Sequence, residues 1–209
     1  MSIRDAMHAN IDWPWFIASW ADKLFSPRFK GCKPIGTERP DKYAAGDYAY
    51  AHVAPKYLDT DCGLSKMHAE SLQSLLQDLN NIARRWAVAW EIPREFWPEM
   101  EDSTLRILEY PVGARIAPHY DFDLFTVNIY RTVREPYKYV EDVDVPSYVH
   151  VGELWQEVDS SMTATKHWTE PHYRPQYSVV YFAMPKLSAV LPSGQTVADW
   201  LLHRKEQSR

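Results

Sequence analysis

The segment "APHYDFDLFTV", residues 117–127, places His119 and Asp121 two residues apart in a run that has the character of a β-strand. Side chains two residues apart on a strand share a face, so an imidazole and a carboxylate would project together. Two histidines and one carboxylate on one facet of a metal form the facial triad of non-haem Fe(II) sites. The spacing therefore predicts two metal ligands, although a surface histidine beside a turn aspartate would give the same pattern.

A third ligand has to come from elsewhere in the chain. His167, in "TATKHWT", is the best candidate, because a distant strand can return beside the first one in a jelly roll. His150 is expected to face the sheet or its surface, and His172 lies in a loop flanked by prolines. The remaining histidines are interpreted as surface or packing residues: His8, His52, His68 and His203.

Helices are predicted on both sides of the segment that carries these residues. Apolar residues recur at intervals of three and four over residues 64–90, which predicts an amphipathic helix whose start Asp61 or Ser65 would cap. A shorter helix is predicted near the N-terminus, with Asp12 and Pro14 as its start signals. Residues 31–62 have the composition of loops with short extended pieces, and the tail "GQTVADWLLHRKEQ" predicts a last helix.

The pattern changes to period two after Pro98. Five runs predict strands: "STLRILEYP", "FDLFTVNIYR", "SYVHVGEL", "TATKHWT" and "QYSVVYFAMP". No helix long enough for a parallel crossover separates them, which favours an antiparallel sandwich or barrel. We therefore predict a single, mainly β domain over 1–209, with a mostly helical N-terminal region (1–98), a jelly-roll core (99–187) and a C-terminal helix (188–209).

Composition narrows the class of protein further. The 209 residues carry a net charge of −5, and the pI near 5.9 argues against a nucleic-acid partner. No stretch approaches the roughly 20 apolar residues of a membrane span, and the N-terminus shows no apolar signal segment. Cys32 and Cys62 lie far apart without a paired motif, which favours free thiols in a reduced, cytoplasmic protein.

Four segments in order resemble the isopenicillin N synthase-like family of 2-oxoglutarate/Fe(II)-dependent dioxygenases. They are "LRILEYP", "APHYDFDLFTV", "VHVGELWQEVDSSMTATKHWT" and "QYSVVYFAMP", and the resemblance covers roughly residues 64–204. It implies a double-stranded β-helix, a form of jelly roll, with His119, Asp121 and His167 as the ligands of Fe(II). It also implies that Tyr110 lies at the edge of the cosubstrate pocket.

The chain departs from this family where the cosubstrate is bound. The family has Arg-x-Ser, whose arginine binds the distal carboxylate of 2-oxoglutarate in a bidentate manner; this chain has Gln176, Tyr177 and Ser178. In one interpretation, Arg174 reaches in from two residues earlier and 2-oxoglutarate still binds. In the other interpretation, no oxoacid binds, and the electrons that reduce O₂ come from the substrate or a reductant.

The resemblance implies a non-haem Fe(II) oxygenase that uses O₂ to hydroxylate, desaturate or cyclise a small molecule. Residues expected to line the substrate pocket are Phe122, Phe125, Asn128 and Trp168, the last standing where the family usually has arginine. Two alternatives remain open from the sequence. One is an Fe(II)- and O₂-dependent oxidase of the same fold that does not use 2-oxoglutarate, and the other is a cupin-like metal-binding protein without redox activity.

Overall fold

Two helices precede most of the sheet, and each begins at a residue whose side chain accepts a hydrogen bond from the first turn. The computed structural model describes residues 6–7, 11–35, 48–132, 138–139 and 148–207. Helix α1 is Trp13–Leu24 with Asp12 as its cap, and helix α2 is Lys66–Ala89 with Ser65 as its cap. Both caps are therefore residues that the sequence had indicated.

Helix α2 packs one face against the sheet. Its buried apolar residues include Leu72, Leu76 and Leu79, which recur at the spacing of an amphipathic helix. Met67, which the periodicity assigns to the same stripe, is instead 67% exposed. Two shorter helices follow later in the chain: α3, Glu153–Val158, and α4, Val197–Gln207.

The strands form two antiparallel sheets. In chain order they are β1 Cys32–Lys33, β2 Ala49–Val53, β3 Thr104–Tyr110, β4 Ile116–His119, β5 Phe125–Arg131, β6 Lys138–Tyr139, β7 Val149–Val151, β8 His167–Thr169 and β9 Gln176–Ala183. The larger sheet has the order β1-β2-β3-β9-β5-β7, and the smaller sheet has the order β4-β8-β6. The rings of His150, on the larger sheet, and His167, on the smaller one, have centroids 4.0 Å apart, so the two sheets face each other. This arrangement is a jelly roll, which confirms the predicted fold class.

The five predicted strands are present, but several are shorter than their sequence runs. The run "SYVHVGEL" is a strand only over Val149–Val151, because Glu153 already begins helix α3. The run "TATKHWT" is a strand only over His167–Thr169. Strand β2 extends the larger sheet by pairing with β3, at positions where the sequence predicted only short extended pieces.

Two apolar clusters lie on opposite sides of the larger sheet. The main cluster packs the outward face of β5 and β9, for example Phe125, Val127 and Tyr181, against the helices. A smaller cluster lies in the space between the two sheets and includes Leu108 and Val180. Alternation along β9 thus sends odd-numbered residues toward the helices and even-numbered residues into the interior of the jelly roll.

Two further expectations concern the cysteines and membrane association. Cys32 and Cys62 are both free thiols, as predicted. Across the ranges that the structure describes, no helix combines the length and the apolar character needed to cross a membrane.

Candidate metal centre and cosubstrate pocket

Three potential ligands meet at the edge of the smaller sheet. His119 ends β4 and His167 begins β8, and the two residues are paired directly across the antiparallel ladder. Asp121 lies in the loop just after β4 rather than in the strand, which corrects the expectation that one strand carries both residues. Its carboxylate oxygens lie 3.7 Å from Nε2 of His119 and 3.5 Å from Nε2 of His167. The ligand atoms of these three residues all lie within 4.8 Å of one another.

Backbone carbonyls fix which nitrogen of each histidine faces the centre. Nδ1 of His119 lies 2.8 Å from the carbonyl oxygen of Ala117, and Nδ1 of His167 lies 3.0 Å from that of Thr165. A carbonyl only accepts, so each Nδ1 donates its hydrogen and each Nε2 presents a lone pair. Burial lowers the pKa of His167 to about 3, which keeps that ring neutral. Backbone hydrogen bonds of this kind are typical of metal-ligating histidines.

Asp121 is the third acceptor at this centre, and none of the three ligand atoms carries a hydrogen. Burial alone would raise the pKa of Asp121, but the surrounding His167, His150 and His119 outweigh burial, and the pKa lies below its usual value. The carboxylate is therefore ionised while it faces two imidazole lone pairs. Such a cluster is stabilised by a cation at its centre, and two imidazoles with one carboxylate suit Fe(II). The donor set thus fits the group that the family resemblance implies.

A threonine and a second aspartate support the ligating carboxylate. Oγ1 of Thr126 lies 2.6 Å from Oδ2 of Asp121 and 2.8 Å from Oδ2 of Asp123. A hydroxyl has one hydrogen, so one of the two contacts needs a hydrogen from a carboxyl group. Burial, and then the charge of Asp121, raise the pKa of Asp123 well above its usual value. Asp123 therefore donates to Thr126, which donates to Asp121.

Gly152 lets the segment that holds Asp123 approach closely. A Cβ at this position would lie 1.9 Å from the backbone oxygen of Asp123 and 2.4 Å from its Oδ1. Sequence reasoning missed Asp123, Thr126 and Gly152 as supporting residues. The one available signal was the Asp-x-Asp spacing of Asp121 and Asp123, which by itself is also common in exposed turns.

His150 lies beside the three ligands. Its ring is buried on β7, and its Nδ1 lies 3.9 Å from Oδ2 of Asp121. This corrects the expectation that His150 belongs to the sheet packing or the surface. Thr126 and His150 are paired across β5 and β7, so both project into the interior at the level of the metal centre.

The residues expected to bind a cosubstrate separate into two groups. Tyr110, Gln176 and Ser178 are all buried, and Gln176 is paired with Tyr110 across β3 and β9. Arg174 is exposed, and its guanidinium carbon lies 5.3 Å from the ring centroid of Tyr173, which is itself 70% exposed. The side chain of Arg174 therefore points away from this pocket. The bend at the exposed residues 173–174, just before β9, explains why Arg174 does not reach inward as predicted.

Arg131, which the sequence analysis did not select, lies beside Gln176. Nε of Arg131, the last residue of β5, lies 2.8 Å from Oε1 of Gln176 and donates to it. Its guanidinium carbon lies 5.7 Å from the ring centroid of Tyr110. Strict alternation would place Arg131 on the same face as Phe125. A register shift between Asn128 and Tyr130 changes that alternation and turns Arg131 inward.

The four residues predicted to line the substrate pocket have different surroundings. Asn128 is buried on the interior face of β5. Phe125 packs edge-on against Trp90 at 5.1 Å, on the helix side of the sheet, so it does not line the interior. Phe122 is half-buried, with the guanidinium of Arg204 6.0 Å from its ring. Trp168 alternates with His167, and its indole N–H donates to Glu170 at 3.0 Å, on the outer side.

A second arginine lies on the interior face of β3. Arg106 donates through Nε to Nε2 of His52 at 3.0 Å, and its guanidinium carbon lies within 4.9 Å of the rings of Tyr50 and Phe182. Burial, and to a lesser extent the charge of nearby Arg106, lowers the pKa of His52 to about 2. The histidine is therefore a neutral acceptor that orients the arginine.

The fold is shared with known oxygenase structures. No family model matches the chain, and no curated protein matches it. A protein from Shewanella oneidensis assigned as an oxygenase is 21% identical, with a TM-score of 0.57 over 98% of this chain and 86% of that one. A full-length protein from Neurospora crassa, in complex with α-ketoglutarate (2-oxoglutarate), is 13% identical, with a TM-score of 0.62 over 99% and 90%.

A third structure contains a metal as well as a cosubstrate. JOX2, in complex with 2-oxoglutarate, Fe and JA, is 16% identical to this chain, with a TM-score of 0.57 over 96% of this chain and 73% of that one. At such identities the likeness concerns the backbone arrangement. The chain has the jelly-roll fold found in oxygenases that are crystallised with 2-oxoglutarate and iron.

Proposed function

We propose that this protein is an Fe(II)- and 2-oxoglutarate-dependent oxygenase that oxidises a C–H bond of a small molecule. The observation that carries the proposal is the convergence of two imidazole lone pairs and one ionised carboxylate. His119, Asp121 and His167 would hold the metal on one facet, with the remaining positions open to cosubstrate and O₂. The shared fold supports the same conclusion.

Iron, when bound, would supply the activation of O₂ that no amino-acid side chain provides. The chain's own residues would position it. Thr126 would hold one oxygen of Asp121, and the two Nδ1 hydrogen bonds would keep both imidazoles in the orientation that exposes Nε2. The buried walls around these residues would exclude water from the reacting groups.

The experiment that tests this proposal begins with metal binding. The purified protein would be stripped of metal and titrated anaerobically with Fe(II). We expect one equivalent to bind, and we expect His119→Ala, Asp121→Ala and His167→Ala each to abolish stoichiometric binding. His150→Ala is the matched control: this neighbouring histidine is not among the three converging ligands, so its loss should leave one-to-one binding intact. Undiminished binding in His167→Ala would refute the ligand assignment.

Cosubstrate use is tested on the loaded wild type. 2-Oxoglutarate should give a visible charge-transfer band under anaerobic conditions, and succinate should form slowly under air. The replacement of the family's arginine by Gln176 favours a second candidate, an oxidase of the same fold that does not use an oxoacid. That enzyme would consume O₂ in a metal-dependent manner without the band or succinate. A cupin-like binding protein would bind metal but show neither activity.

A further inference from the structure

The interior of the jelly roll contains a buried amide with an unfulfilled donor. Gln176, the first residue of β9, is 1% exposed, and its Oε1 accepts from Arg131. That bond fixes the orientation of the amide, so its Nε2 points elsewhere, and this nitrogen is buried without a hydrogen-bond partner. A buried donor without an acceptor is costly, so the partner of such a group is usually a bound water, an ion or a ligand.

Arg131 reaches the same space from the neighbouring strand. Its register partner across β5 and β9 is Ser178, and directly paired side chains lie on the same face of a sheet. The register shift at Ile129 makes this pairing possible, since it restores to Arg131 the face occupied by Asn128 and Thr126. The guanidinium thus enters the interior between Gln176 and the ring of Tyr110.

The groups gathered there are suited to a carboxylate. A guanidinium carries five N–H donors in a planar fork, and that of Arg131 is oriented by the bond from its Nε to Gln176. The amide N–H₂ of Gln176 adds further donors, and Ser178 and Tyr110 carry hydroxyl groups. A positive charge with several convergent donors binds a planar carboxylate well, particularly in a two-pronged contact.

We propose that Arg131, oriented by Gln176, binds the distal carboxylate of 2-oxoglutarate. This inference rests on the proposed function, and it locates the cation on β5 rather than at position 176 of β9, where the resembling family has it. The strand change explains how Ser178 can be kept in a cosubstrate site although position 176 carries glutamine instead of arginine. Arg174, the other arginine near this sequence, lies outside the pocket.

The test compares two oxoacids on Fe(II)-loaded protein under anaerobic conditions. 2-Oxoglutarate carries the distal carboxylate, whereas 2-oxovalerate chelates iron in the same manner but lacks that group. In Arg131→Ala we expect the dissociation constant of 2-oxoglutarate to rise about ten- to a hundredfold, the range for a lost charge-assisted contact. The affinity for 2-oxovalerate should stay at the wild-type level, and Arg174→Ala should bind both acids as wild type does.

Two further variants keep the test decisive if Arg131→Ala is poorly folded. Gln176→Glu keeps the size of the side chain but places a carboxylate against Arg131, so it should weaken 2-oxoglutarate binding while leaving Fe(II) binding unchanged. Arg131→Ala combined with Gln176→Arg returns the cation to β9 beside Ser178, and it should recover a substantial part of the lost affinity.

The outcomes separate this inference from the proposed function. Wild type that gives no charge-transfer band with 2-oxoglutarate would overturn both. Wild type that binds 2-oxoglutarate, with Arg131→Ala binding it equally well, would overturn only the role of Arg131. An equal loss for both oxoacids in Arg131→Ala and in Gln176→Glu would also overturn it, because the damage would then not concern the distal carboxylate.

Discussion

The hydroxyl oxygen of Thr126 lies 2.6 Å from Oδ2 of Asp121, and this contact joins the larger sheet to the ligands at the edge of the smaller one. Asp121 lies in the loop between β4 and β5, outside the ladder that positions His119 and His167. Thr126 lies within β5 and is almost fully buried. The threonine therefore holds the carboxylate in the orientation that meets both histidines.

We expect Thr126→Val to weaken Fe(II) binding by about ten- to a hundredfold, the range for removal of a supporting hydrogen bond at a metal site. Valine has nearly the same shape but no hydroxyl, so it leaves Asp121 and Asp123 without their shared partner. A competition titration against a coloured chelator measures the change. Thr126→Ser is the control, since it keeps the hydroxyl and should stay within a few-fold of wild type. Equal affinities in the valine and serine variants would contradict this role.

Gly152 should be intolerant of even a single added carbon. Its backbone angles suit any residue (φ −82°, ψ 163°), but a Cβ would lie 1.9 Å from the backbone oxygen of Asp123. We expect Gly152→Ala to lower the free energy of unfolding by about 3 kcal/mol or more, as severe steric conflicts in a core do. Urea denaturation measures the change.

Gly194→Ala is the matched control for that substitution. A Cβ at Gly194 meets nothing within 4 Å, but the residue has a φ of +88°. Its cost should therefore be the about 1–2 kcal/mol of a left-handed conformation. A Gly152→Ala protein as stable as the Gly194→Ala protein would show that the turn around Asp123 can move aside.

His52 should make the stability of the metal-free protein depend on pH. Burial first, and then Arg106, lower the pKa of His52 from 6.5 to about 2. Below pH 6.5 the unfolded chain takes up a proton at this residue and the folded chain does not, so stability is full above that pH and falls as the pH drops. We expect a loss of about 1–2 kcal/mol between pH 7 and pH 5 from this group.

The contribution of His52 is isolated by comparing variants. His52→Gln keeps an acceptor for Arg106 but does not titrate, so its free energy of unfolding should fall less between pH 7 and pH 5 than that of wild type. His167 remains in both proteins, and its effect cancels in the difference. Parallel curves for wild type and His52→Gln would be evidence against a buried neutral His52.

Removal of metal should leave the protein folded. Two apolar clusters pack on either side of the larger sheet, and neither depends on the three ligands. We expect a chelated sample to unfold cooperatively at a lower temperature. Metal at a hundredfold excess over its dissociation constant adds about 2.7 kcal/mol, which for a chain of this size shifts the midpoint by roughly 5–10 °C. Calorimetry measures both samples, and loss of the transition on chelation would make the metal structural.

The alternation of β9 made its buried face predictable. Its even-numbered residues point inward without interruption from Gln176 onward, so the sequence alone places Gln176 and Ser178 together. The ligands were likewise predictable as candidates. Asp121 lies in a loop after β4, but it is only two residues from His119, and the two side chains still lie close together. In both cases the property that matters is local to a few consecutive residues.

Arg131 and His150 were not predictable, and the reasons are physical. The register shift near Ile129 adds a residue to a strand without any glycine or proline to signal it. His150 belongs to a three-residue strand, too short for periodicity to assign a face. For Arg174 the prediction was wrong in the opposite sense, because a residue expected inside is exposed. Pro175 and the exposed bend before β9 break the alternation that would have turned Arg174 inward.

Because β5 contains an extra residue, its odd-numbered side chains face the helices before Ile129, whereas the even-numbered Tyr130 faces them after it. Strict alternation through Ile129 would instead exchange the directions of Tyr130 and Arg131. A shift of one residue in the pairing register is therefore chemically more consequential here than most substitutions. Strands β5 and β9 are neighbours in the larger sheet, so an arginine on either strand can reach the same point in the interior. A binding site can therefore be kept while the residue that forms it lies in a distant part of the sequence.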